Sequence, residues 1–82
     1  MNKQAKTTDP VFILAGTSQQ YTDARRKLAL SPGQAYWLTR PSTLTGKQRP
    51  KVFRFGDWKS QTKIHEIEAE MTAVAAEVSD LS

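Results

Sequence analysis

The chain has 82 residues, of which 38% are apolar, 24% charged and 9% aromatic, and it has no cysteine. So short a chain holds one core and excludes a two-domain enzyme, while the missing thiols exclude disulfide staples, thiolate metal sites and cysteine nucleophiles. The net charge of +4 is unevenly placed: residues 1–63 carry all twelve Lys and Arg against Asp9, Asp23 and Asp57, a local +9, whereas residues 64–82 hold five acids and no Lys or Arg, a local −5.

Residues 1–10 contain Lys3, Lys6, Asn2, Gln4, two threonines and a closing Pro10, with little to bury, and read as a flexible polar arm. This polar opening does not resemble a signal peptide. The longest apolar run, residues 11–15, is far short of the ~20 residues that span a bilayer, so a cytoplasmic protein without membrane contact is expected. That same run is short and rich in Val, Phe and Ile, which predicts a central strand covered on both faces, as in a parallel sheet.

Gly16, Thr17 and Ser18 break the run and offer a capping hydroxyl; Tyr21, Ala24 and Leu28 then recur at helical spacing, with Arg25, Arg26 and Lys27 where the helix dipole favours cations. A helix over 18–29 follows. Ser31-Pro32-Gly33 turns the chain into a second strand at 35–39, ended by Pro41. Residues 40–50 form a loop anchored by Leu44, and residues 51–55 make a third strand, expected to be parallel.

In the last segment Ile64, Ile67, Met71, Val74, Val78 and Leu81 follow spacings of 3, 4, 3, 4 and 3, which predicts an amphipathic helix over about 60–80. Such a helix lies across the sheet and leaves part of its seam, Ile64, Ile67, Met71, Val74 and Val78, for another copy of the chain. The fold expected is therefore α/β: a small three-stranded, mostly parallel sheet with two helices in the order β-α-β-β-α, half-Rossmann-like. One domain spans 11–82, and self-association covers the apolar surface that so few elements leave bare.

Three sets of residues carry functional expectations. Gly16, Thr17 and Ser18 stand where open parallel sheets bind ligands, although Ser18 and Tyr21 replace glycines of a dinucleotide fingerprint; they mark a ligand edge for a nucleotide or another anion. Arg25, Arg26, Arg40, Lys47, Arg49, Lys51 and Arg54, with Lys27 among them, interleave with Tyr36, Trp37, Phe53 and Trp58 as in nucleic-acid-binding surfaces, while core packing also accounts for most of those rings. His65 is the only histidine and has no nucleophile or metal-binding constellation around it, so neither catalysis, nor a metal, nor a cofactor is expected.

Residues 15–58, with their Ala-Gly turn, aromatic second strand, Leu44-Thr45-Gly46 loop and strand ending near Gly56-Asp57-Trp58, resemble small bacteriophage accessory proteins of half-Rossmann pattern. The Leu44-Thr45-Gly46 loop is also similar to the segment before the Walker B strand of terminase-like ATPases. Thr45 stands in place of the usual Arg, and Phe55-Gly56-Asp57 lacks the Asp-Glu pair, so the likeness implies no ATPase. What the resemblance implies is a viral protein acting in the host cytoplasm. The function expected is that of a non-catalytic, self-associating module that binds a host or viral macromolecule; the alternatives are nucleic-acid binding through residues 25–54 and anion sensing at Gly16.

Overall fold

The first apolar run forms β1 (Val11–Ala15), with Phe12, Ile13, Leu14 and Ala15 all buried. The computed structural model describes residues 10–81, so the arm expected at 1–10 lies, except for Pro10, outside the described residues. Helix α1 (Ser18–Lys27) starts at Thr17, whose extended backbone and side-chain oxygen, accepting from the Gln20 amide at 3.1 Å, make it the N-cap. It ends where Ala29 adopts φ +56°. The Ala29 and Leu30 amides then donate to the Arg26 and Arg25 carbonyls, a Schellman closure built on alanine rather than glycine.

A single 3₁₀ turn at Pro32–Gln34 leads into β2 (Ala35–Trp37), shorter than the 35–39 expected, although the Leu38 amide still donates to the Ile13 carbonyl at 2.8 Å. The following loop includes a 3₁₀ turn at Pro41–Thr43 and is pinned by Leu44, which is fully buried. β3 (Lys51–Phe55) pairs with β1 in parallel, Val11 opposite Lys51 through Ala15 opposite Phe55, so the expected direction is observed.

The last segment departs from expectation. Helix α2 occupies only Ile64–Ala73; Ala75 then turns the chain at φ +54°, and Glu77–Asp80 forms β4, parallel to β3. The sheet thus has four strands, not three, in the order β2-β1-β3-β4, all parallel, and the helix expected over about 60–80 is half that length. The spacing misleads because Val74 and Val78 stand four residues apart in either conformation, and no Gly or Pro marks the stop. Pairing overrides the local pattern: the Glu77 amide donates to the Pro50 carbonyl at 2.8 Å and the Leu81 amide to the Arg54 carbonyl at 2.9 Å.

Alternation along the strands sorts the core onto two faces. Ile13, Ala15 and Ala35 meet Ala24, with Tyr21 and Leu28 of α1 beside them. Phe12, Leu14 and Val52 meet Leu38, Leu44, Ile67 and Met71, so α2 and the long loop cover the other face. No helix of the described residues is long and apolar enough to cross a membrane.

Candidate functional site

A parallel sheet offers two ends for a site, and the carboxyl end is the usual one because strand order reverses there beside β1. Gly16, Thr17 and Ser18 do stand at that end, facing the turn after β3. The crevice between them is filled by the Gln20 side chain. Its Oε1 accepts from the Gly16 amide at 3.0 Å and the Asp57 amide at 2.9 Å, and its Nε2 donates to Asp57 Oδ2 at 3.1 Å. One side-chain carbonyl therefore takes the two amides that an anion at this edge would need. Thr17 serves as cap, and the Ser18 carbonyl accepts from the Thr22 hydroxyl.

The glycines around this closure have steric reasons. A Cβ on Gly16 would lie 2.5 Å from the Asp57 carbonyl oxygen, and one on Gly56, at φ +62°, would lie 2.5 Å from the Gln20 amide. Close approach of backbone to backbone and to Gln20 thus explains both without a ligand. Gln61 completes the seal, its Nε2 donating to the Ala15 carbonyl at 2.7 Å and the Leu38 carbonyl at 3.1 Å, while Trp37 Nε1 donates to the same Ala15 oxygen at 3.0 Å. Sequence reasoning gave Gln20 and Gln61 no role, since a lone glutamine in a polar turn carries no signal of what it will bridge.

The opposite, amino end is open and basic. Lys47, Arg49 and Lys51 are exposed there, beside a groove of about 510 Å³ floored by Pro10, Val11 and Phe12. The loop that carries them is held in shape by Gly46 at φ +83°, by Arg49 at φ +50°, and by the Arg49 amide, which donates to the Val74 carbonyl at 3.0 Å. Because α1 leaves β1 at the carboxyl end and must return to start β2 beside it, its last turn, with Arg25, Arg26 and Lys27, comes back to this same end. Arg26 and Lys27 are exposed, and Arg25 is half-buried with Nη1 donating to the Leu30 carbonyl at 3.1 Å.

The other two predicted cations are elsewhere. Arg40 follows β2 at the carboxyl end, outside the amino-end group. Arg54 lies within β3 and holds Asp80 of β4 through Nε–Oδ1 at 2.6 Å and Nη2–Oδ2 at 2.8 Å, with its guanidinium 4.6 Å from the centre of the Trp58 ring. That is the one ion pair among the described residues, and the Arg54 guanidinium holds the Asp80 carboxyl below its ordinary pKa. Glu77 neighbours Lys51 across the β3–β4 register without forming a second. Among the rings, Trp37 stacks on Tyr21 at 6.1 Å and Tyr36 lies 5.9 Å from Phe12, while Tyr36 remains half exposed.

The seam expected for self-association is divided between two elements. Ile67 and Met71 are buried in the chain's own core, Ile64 and Val74 pack against it, and Val78 stands exposed on β4. Its helical part covers this chain's sheet, because an isolated parallel sheet face must be buried by the nearest apolar stripe. Among the described residues no three His, Asp or Glu side chains are grouped as a metal site. No protein-family model, curated protein or solved structure matches this chain.

Proposed function

We propose that this chain is a non-catalytic binding module whose amino end takes nucleic acid. The observation that carries the reading is the set of cations at one end of the sheet, Lys47, Arg49 and Lys51 on the loop and Arg26 and Lys27 on α1, none of which forms an ion pair with a carboxylate among the described residues. Cations already paired, such as Arg54, give up little to a new anion, whereas unpaired ones attract phosphates over about a Debye length and release their counterions. Pro10 and Val11, both partly exposed in the groove, supply an apolar surface on which a sugar or base can rest beside those charges. An accessory role of the viral kind that residues 15–58 suggest fits a module with such a basic end.

Fluorescence anisotropy with labelled single-stranded DNA, duplex DNA and RNA tests the proposal. For about five phosphate contacts, raising salt from ~50 to ~200 mM should weaken binding roughly 100- to 500-fold. Replacing Lys47, Arg49 and Lys51 together by Ala should flatten the slope of log K against log salt by about three, and Arg40→Ala should leave it unchanged. Absence of binding at ~50 mM salt, or a slope indifferent to the triple replacement, rejects the reading.

A further inference from the structure

We infer that two copies of this chain pair through β4, edge to edge and antiparallel, into one continuous sheet. Among the described residues β4 has a neighbour on one side only, and all four of its residues are exposed. Along a strand successive amides point to opposite sides, and here the Glu77 and Leu81 amides donate inward to β3. The N–H and C=O groups of Val78 and Asp80 therefore point outward, away from the molecule. Such a row is a template for another strand unless charge, proline or a bulge blunts it.

The side chains select a second copy as the occupant and select its register. In a pair related by a two-fold axis normal to the sheet, directly opposed residues share a face, so the axis must pass through a residue of β4 rather than between two. An axis at Val78 makes Val78 its own partner, exchanging both outward hydrogen bonds with its counterpart, and sets Glu77 against Ser79 and Asp80 against Ala76. Val78 is the exposed large aliphatic residue of the edge, at 38% accessibility, and lies beside an open groove under α2 that Met71, Ala75 and Ala76 also line. No carboxylate then opposes another, and Asp80, the acid nearest the axis on that face, is already neutralised by Arg54. An axis at Ser79 instead places Val78 against Asp80 and forfeits the apolar pair.

The other edge of the sheet is a poorer template. β2 is three residues long and lies between the 3₁₀ turns opened by Pro32 and Pro41. The inference does not depend on nucleic-acid binding, because association is read without nucleic acid and through variants of β4 alone.

Light scattering across a dilution series from ~1 to ~500 µM should show a monomer giving way to a dimer. Val78→Pro removes an outward N–H that β3 does not use, so it should weaken dimerisation at least tenfold while circular dichroism keeps the folded signature. Val78→Lys keeps the backbone but opposes two cations at the axis, and it should weaken the dimer similarly. Tyr36→Lys, on the other edge, should leave the dimer intact. A wild-type monomer throughout the series, a dimer unaffected by both Val78 variants, or one lost equally with Tyr36→Lys overturns the inference.

Discussion

Helices α1 and α2 each end on an alanine held in the left-handed region, Ala29 at φ +56° and Ala75 at φ +54°. An L-residue there sets Cβ against the neighbouring carbonyl at a cost of about 1–2 kcal/mol, which glycine avoids while losing somewhat more chain entropy on folding. Ala29→Gly and Ala75→Gly should therefore each stabilise the fold by about 0.5–1 kcal/mol in urea unfolding, and a loss from either would show that its methyl group packs. Gln20 is the opposite case, a side chain whose one oxygen satisfies two amides at the end of β1 and β3. Gln20→Ala should cost about 1–2 kcal/mol, since the edge is partly hydrated and water replaces some of what is lost; an unchanged midpoint would mean that the closure contributes nothing.

At the scale of elements, the α2–β4 turn decides the architecture, and the Arg54–Asp80 pair ties β4 to β3. Asp80 has a folded-state pKa below its ordinary value, chiefly because it accepts hydrogen bonds from Arg54. Its contribution is therefore fully present above the ordinary carboxylate range and is lost as pH falls through the lowered folded-state value. Amide exchange should report this locally: protection at Ser79 and Leu81 should fall on acidification relative to amides of β1, and Asp80→Asn should remove most of that pH dependence. Equal acid sensitivity in β1 and β4 would assign the effect to the whole fold. The solvent-exposed position of the carboxylate makes this a local fraying of an edge strand rather than a route to global acid unfolding.

For the whole molecule the uneven charge becomes a spatial one, with cations that no carboxylate pairs among the described residues at the amino end and acids on α2 and β4. With a single ion pair to lose among the described residues and a clustered positive end to screen, the fold should gain from salt: the melting temperature should rise by a few degrees between ~10 mM and ~0.5 M sodium chloride. A fall would mean that attraction between the acidic and basic parts outweighs repulsion within the basic end. Much of this fold was legible in the chain. The buried strand at 11–15, the helix behind the Thr17 cap, the anchoring of the loop by Leu44 and the strand at 51–55 follow from short-range apolar pattern, capping chemistry and turn residues, which act over a few residues and need no partner. So does the local excess of cations before residue 64, because charge is carried by composition. Three things needed tertiary structure. Helical spacing continues through Val78, but the backbone bonds to Pro50 and Arg54 are available only once β3 is in place, and they draw 77–80 into a strand. The ligand edge at Gly16 is a plausible anion site in the chain alone, yet it is closed by Gln20, whose reach across to Asp57 spans 37 residues of sequence. Finally, the predicted cations separate into an open amino-end group, an Arg40 at the other end and an Arg54 bound to Asp80, because the direction in which each strand runs decides which end of the sheet a residue occupies, and direction is a property of pairing rather than of any one segment.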